Sequence, residues 1–474
     1  MGSVRVLEFA AVWVCVGLVA PAALAHAASD QAGNAPQQSA TAPAPASAIQ
    51  LGFEERIRSE NVDNTVDHDA TTADVRRQWR FRTRLWAAVP LGSRVAFVVG
   101  LANESKGQTE PRLPLTRDET FFEHLYVDVR ATPRISARIG RQNIMRGDGF
   151  ILFDGTSGDG SRSLYMNAVD VTYAVRPQAK LEFILVSDPY RDVYLPVIND
   201  KKRVLTEWDE RFGGLYYTDT RLKSTDLQAY YFYKDERHDY RPTTHPQYQG
   251  AREVQTLGAR VARELAPGWT LTGELAAQFG AEDPGAAIRA RGGYLNVRRT
   301  FNHAWKPSVL FGYTGMSGDD PDTPTIEQFE PLVSRWPKWG ELYIQSLAPE
   351  VGVAYWTNLG MWQAEAACAP SARINLRATY YHLDAFHPFA GNQAVFGPGT
   401  SRGDLVQARV DFMLHKSLKG HVLYERLVPG DFYRGADPGY FFRVEFIYTF
   451  LKSFAWGPGG ATAAAAGARP GRLP

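Results

Sequence analysis

The chain is poor in cysteine: only Cys15 and Cys368 occur among 474 residues. A disulfide framework therefore cannot be what holds it together. It also lacks an excess of either charge. The 52 Lys and Arg against 51 Asp and Glu leave a formal net charge of +1, which gives no overall pull toward nucleic acid. Past the N-terminal segment, no stretch approaches the roughly 18 consecutive apolar residues that a membrane-spanning helix needs. Missing too are a G-x-S-x-G elbow, an H-E-x-x-H pair and a phosphate-binding loop. The ten histidines are scattered, and none pair at metal-ligand spacing. These absences argue against a disulfide-stapled domain, a helical membrane protein and the familiar hydrolase, metalloprotease and nucleotide-binding classes. They predict no cofactor, no metal and no catalytic cluster.

The N-terminus has the pattern of a signal peptide. Arg5 supplies a short positive region, Phe9 to Ala20 an apolar core, and Ala23-Leu24-Ala25 and Ala25-His26-Ala27 two small-residue cleavage sites. The predicted organisation is a signal peptide at 1–27 and a disordered linker at 28–48, rich in Ala, Pro, Gln, Ser and Thr. A transmembrane barrel follows at 49–456, and a disordered Gly/Ala/Pro tail at 457–474. Cys15 falls in the apolar core, so Cys368 would be the one cysteine of the mature chain.

What the chain has in plenty is aromatics, 12% of residues, and a period-two alternation of apolar with polar side chains. That period puts one face of a strand in lipid and the other in water. In Gln78 to Pro90, Trp79, Phe81, Leu85, Ala87 and Val89 share one face, and Gln78, Arg80, Arg82 and Arg84 share the other. Three arginines cannot face a dry core without partners, but they can face a water-filled lumen. The same grammar recurs at Val95–Leu101, Leu125–Val129, Ile135–Ile139, Leu227–Tyr233, Trp269–Phe279, Ile374–Tyr380 and Tyr440–Phe450. Short connections near 90–93, 131–134, 176–179, 266–268, 369–372 and 415–419 alternate with long ones near 59–75, 104–118, 146–161, 187–211, 235–252, 316–357, 384–402 and 429–438. The prediction is an all-β fold: a transmembrane antiparallel up-and-down β-barrel of about 18 strands, with short periplasmic turns and long extracellular loops. A soluble multidomain β-protein has no reason to keep that two-beat rule. The last strand is expected to close on the lipid-facing Phe450, with truncation after Trp456 tolerated.

Gly140-Arg141-Gln142, Gly147-Asp148-Gly149, Asp154-Gly155-Thr156, Arg162 and Asn167-Ala168-Val169 resemble the alginate export family. So does the closing segment from Gly403-Asp404 through Phe442-Arg443-Val444-Glu445-Phe446. The resemblance spans about 50–455, with Asn167 standing where an Asp is expected. It implies an outer-membrane barrel that passes an anionic polysaccharide. The partners it implies are that polysaccharide or its oligosaccharides, outer-membrane lipid and the outer-membrane assembly machinery.

Charge placement points the same way. Arg80, Arg82, Arg84, Arg130, Arg138, Arg141, Arg260, Arg298, Arg373, Arg377, Arg409 and Arg443 are the candidate pore-lining, substrate-binding residues. Acidic residues crowd the loops, as at Asp67, Asp69 and Asp74 or Asp319, Asp320 and Asp322. Rings of arginine in a pore favour anions, and guanidinium matches a carboxylate bidentately. The alternative is that these arginines brace the wall by pairing with lumen carboxylates such as Glu54, Asp128, Glu274, Asp411 and Glu445. The Gly- and Asp-rich stretch 147–160 lacks the terminal Glu of an EF-hand, and it reads as a loop folding inward. Trp336, Trp339 and Trp356 suit either stacking on sugars or an interfacial girdle, and the girdle is the expectation. A channel is therefore expected, with two rivals: an outer-membrane enzyme with a rim or lumen site, and a plugged structural or adhesive barrel.

Overall fold

The computed structural model describes residues 48–153, 165–198, 209–237, 250–333, 339–351 and 356–455. The predicted leader, linker and tail lie outside them, apart from the first barrel residue Ala48. In chain order the strands are β1 Ala48–Asp63, β2 Arg76–Pro90, β3 Val95–Glu110, β4 Thr116–Arg130, β5 Ile135–Gln142, β6 Met166–Arg176 and β7 Ala179–Asp188. Then come β8 Val197–Ile198, β9 Asp209–Asp219, β10 Thr225–Arg237, β11 Arg252–Ala266, β12 Trp269–Glu282, β13 Ala286–Thr300 and β14 Ser308–Met316. The chain continues with helix α1 Leu342–Val351, β15 Leu359–Ser371, β16 Ile374–Asp384, β17 Ser401–His415, β18 Leu418–Pro429 and β19 Gly439–Ala455.

All neighbours pair antiparallel, and β1 pairs with both β2 and β19. The sheet therefore closes on itself and leaves no edge. The two-residue β8 pairs only with Thr120 and Phe121 of β4; without it the 19-stranded sheet is an eighteen-stranded wall. Alternation sets which side of that wall each residue takes. Trp79 and Leu85 are 47% and 54% exposed on the outside, whereas Arg82 and Arg84 are 3% and 7% exposed on the inside. The outward row of β19 is Tyr440, Phe442, Phe446, Tyr448 and Phe450, all exposed.

Three details differ from the sequence reading. The connection expected over 104–118 is confined to 111–115, because β3 and β4 stay paired as far as Lys106 and Thr116. The polar run Asn103–Glu110 hid this, since a strand hydrated on both faces shows no alternation. A second tight connection at 283–285 joins β12 and β13 at the same end, and the sequence reading had no loop there. Finally, Phe450 does not close β19. The strand runs on to Ala455, paired with Ala48, and Phe454 is a further outward aromatic.

The long connections do not all stay outside. Ile144, Phe150, Ile151 and Leu152 of 143–153 and Phe329, Leu332, Leu342, Tyr343, Leu347 and Trp356 of 317–358 form one apolar cluster with inward residues of the wall, among them Ile184, Phe212, Tyr230, Tyr294 and Leu423. Up to Phe153 the first of these segments folds inward as expected, and residues 154–160 of the glycine-rich stretch lie outside the described residues. The second corrects the girdle reading. Trp339 and Trp356 pack edge to face, 4.9 Å apart, inside the barrel and beside α1; Trp336 lies outside the described residues.

Candidate functional site in the lumen

The inward faces of β19, β1 and β2 carry the densest charge. Cross-strand register sets Arg56 opposite Arg82, Arg58 opposite Arg80 and Glu445, and Glu60 opposite Arg443. Where arginine faces arginine, as at Arg56/Arg82 and Arg58/Arg80, Arg80 and Arg82 take their carboxylates from diagonal neighbours, whereas Arg84 and Arg443 pair directly across with Glu54 and Glu60. Arg82 donates to Glu54 at 2.9 Å, while Arg84 reaches Glu54 at 3.2 Å and Glu123 at 2.6 Å. Arg80 bridges Glu104 at 2.7 Å and Glu60 at 3.3 Å. Arg56 lies 3.6 Å from Glu104, Arg58 lies 3.1 Å from Glu60, and both approach Glu445. Arg443 pairs with Glu60 at 2.7 Å and with Glu341, beside α1, at 2.9 Å. Glu54, Glu60, Glu104 and Glu445 each serve two or more guanidiniums, so the patch is a network rather than a set of separate bridges.

The far wall leans the other way. There Glu182, Glu210, Glu236, Glu274 and Glu282 are buried on inward positions, with Lys234, Arg252 and Arg260 among them. Two of these cations hold a loop: Glu330 lies 2.6 Å from Lys234 and 2.8 Å from Arg252, and its backbone exchanges hydrogen bonds with Gln278. Helix α1 is fixed at both ends. The Glu425 carboxylate accepts the Leu342 amide at 2.6 Å and the Glu341 amide at 2.9 Å, satisfying donors that a helix start leaves unpaired. At the other end, Arg402 donates twice to Glu350, both at 2.8 Å, and also to the Asn358 carbonyl.

Nine of the twelve candidate arginines face inward from the wall, as expected: Arg80, Arg82, Arg84, Arg138, Arg260, Arg298, Arg377, Arg409 and Arg443. All nine have carboxylate partners, including Arg138 with Asp128, Arg298 and Arg377 with Glu365, and Arg409 with Asp411. Three are placed differently. Arg141 is in step with the exposed Ile139, one residue out of phase with Arg138. Its guanidinium is clamped by Asp192 at 2.7 and 2.8 Å, so it is a brace under 189–198 and not a pore cation. Arg373 sits in the turn between β15 and β16, and Arg130 is exposed at the last position of β4. Both flank the turn end, where the lumen wall stops. Sequence reasoning missed Arg56, Arg58, Glu60 and Glu104. The signal was present in the Glu54–Glu60 run, whose even positions are all charged, but the outward Glu55 broke the apolar alternation that marks a strand.

Outside the strands, His68 joins three loop segments. Its ring meets Tyr433 edge to face at 4.6 Å, and its Nε2 lies 3.4 Å from the Ser346 hydroxyl of α1. Burial pulls its pKa from 6.5 down to about 4, against the opposing pull of Asp67. Because the packed form prefers neutral imidazole, this contact is at full strength above pH 6.5 and is lost as pH falls toward 4. Single-channel conductance is therefore expected to rise and flicker between those values, and His68→Gln is expected to flatten the response. A wild-type conductance constant down to pH 4 would mean that this contact does not hold the loops.

The sequence profile of the alginate export family matches residues 47–444. The chain belongs to the alginate export family. No curated protein matches it. Among solved structures, OccK5 (OpdH) of Pseudomonas aeruginosa superposes with a TM-score of 0.55 at 13% identity, over 85% of this chain and 98% of that one. A BenF-like porin from Pseudomonas fluorescens Pf-5 gives 0.55 at 12%, over 85% and 99%. OccK2 (OpdF) of Pseudomonas aeruginosa, in complex with glucuronate, gives 0.55 at 11%, over 85% and 98%. At these identities the likeness is one of fold. Family and fold together support an outer-membrane channel for this alginate export family barrel.

Proposed function

We propose that this barrel passes anionic oligo- or polysaccharide, of the alginate kind, along the arginine-bearing wall of β19, β1 and β2. The observation that carries the reading is the sharing of carboxylates there: Glu54, Glu60, Glu104 and Glu445 each serve two or more guanidiniums. A sugar carboxylate can take one face of such a guanidinium while the remaining partners keep it in place. The glucuronate bound by OccK2 is a ligand of this chemical kind on this fold. One observation favours a second reading, a barrel plugged for good: the packing of Phe150, Ile151, Phe329, Leu332, α1 and Trp356 inside the lumen. Planar-bilayer recordings separate the two. The channel reading expects anion-selective reversal potentials across a salt gradient, and current block by uronate oligomers but not by neutral oligosaccharides. Cation selectivity, or no conductance at all, would overturn it.

A further inference from the structure

Gln228, Arg260, Glu274 and Tyr294 stand in register on β10, β11, β12 and β13, all facing inward. Against this row lies the tip of 143–153. Arg260 donates to both oxygens of Asp148, through Nε at 3.1 Å and through a terminal nitrogen at 3.0 Å. The Tyr294 hydroxyl donates to the same carboxylate at 2.5 Å, and Glu274 is 3.1 Å from that hydroxyl. A bidentate guanidinium with a hydroxyl on the same carboxylate is a complete recognition site for a carboxylate. The surroundings suit a sugar ring as well. Tyr216 and Tyr230 stack nearly parallel, 5.6 Å apart, and Phe150 sits edge-on to Tyr294 at 5.6 Å. These rings are buried while 143–153 packs on them, and they offer apolar faces beside the polar groups of a saccharide subsite only once the tip leaves the wall.

The loop is shaped to deliver one carboxylate and nothing else. Gly147 and Gly149 both take positive φ, 56° and 72°, a conformation open to glycine and strained for most other residues. A Cβ on Gly147 would stand 2.8 Å from the Arg260 Cδ and 3.1 Å from the Gln228 amide oxygen. The tip therefore approaches the wall more closely than any larger residue allows, with the Asp148 side chain aimed at the clamp.

We infer that Arg260 and Tyr294 form a binding site for the carboxylate of a uronic acid, and that Asp148 occupies it as a built-in stand-in for the substrate. The inference rests on the saccharide-channel reading and deepens it. The incoming uronate displaces Asp148, and the same exchange frees the tip of 143–153 from the wall. A tethered carboxylate competes at an effective concentration in the millimolar range, so the free sugar must overcome it at every binding event.

The test uses the full-length barrel in planar bilayers, with sodium glucuronate as the probe and glucose as the neutral control. Asp148→Asn keeps the shape of the tip and removes its charge; Asp148→Ser serves if the Asn protein is not recovered folded. The half-blocking glucuronate concentration should fall by about tenfold or more, as removal of an intramolecular competitor implies. Adding Arg260→Gln should abolish the block, and glucose should do nothing in any variant. Phe150→Ala loosens the same loop and keeps its carboxylate, so it should raise conductance without sharpening the block. An Asp148→Asn channel with the wild-type blocking concentration overturns the inference, as does a Phe150→Ala channel that gains as much. Failure of the channel reading itself shows elsewhere, in a cation-selective wild-type reversal potential.

Discussion

Replacing Arg80, Arg82 and Arg84 together with Gln is expected to invert ion selectivity, from anions toward cations, and to lower the melting temperature of the barrel. The three guanidiniums are the principal partners of Glu54, Glu104 and Glu123 and one of several partners of Glu60. Without them these carboxylates remain at inward positions as an acidic stripe beside a wall that is already acidic. From the sequence alone the positions read as a hydrated polar face, on which Gln would be harmless. The structure alters that expectation, since the side chains of Arg82 and Glu54 are only 4% and 9% exposed. Removing one partner of a buried pair costs about 3–5 kcal/mol. The three losses overlap because the network shares its carboxylates, so the total should be well below three times that figure. Pairing Arg82→Gln with Glu54→Gln should recover part of the stability and leave selectivity near neutral. Reversal potentials and thermal melts in detergent read both effects. An unchanged reversal potential would show that these arginines brace the wall and do not set selectivity.

The second large effect is expected at Arg402. Its guanidinium is fully buried and satisfies both Glu350, at the end of α1, and the Asn358 carbonyl. Arg402→Met leaves an uncompensated carboxylate inside the barrel, so the end of α1 should leave the wall to find water. The lumen then widens where α1 had packed. Conductance should rise severalfold and become noisy, with the strand content by circular dichroism unchanged. Glu425→Gln, at the other end of the helix, should give the same change in weaker form, because the amide still accepts hydrogen bonds from Glu341 and Leu342. A quiet channel of wild-type conductance in Arg402→Met would place the conducting path away from α1.

Much of the wall was legible in the sequence, because lipid and water impose opposite demands on alternate residues and leave a period of two. Trp79, Leu85 and the arginines between them declare their faces with no tertiary information. The lumen contents were less legible for a physical reason. A residue buried inside a barrel by a loop, such as Trp356 or Leu342, obeys packing against partners far along the chain and carries no period of its own. Arg141 shows a different failure. Its parity with Ile135 and Ile139 already pointed outward, but its charge suggested the lumen, and only the covering Asp192 makes the outward position tolerable. Arg56 and Arg58 failed in reverse, hidden by Glu55, which accepts a hydrogen bond from Thr83 on the outer face at 2.6 Å.

The seam between β1 and β19 joins Ala48 to Ala455 and continues residue by residue to Asp63 and Tyr440. The first strand to emerge during synthesis therefore waits for the last, with nearly the whole chain as the intervening loop. Closing so long a loop is slow and entropically costly. Until it happens, one flank of β1 is a bare ladder of donors and acceptors, the kind of template that recruits stray strands. A premature stop codon anywhere before β19 would thus leave an open sheet and not a shortened barrel. The cell would have to shield that flank of β1 from the moment it leaves the ribosome until the final strand arrives.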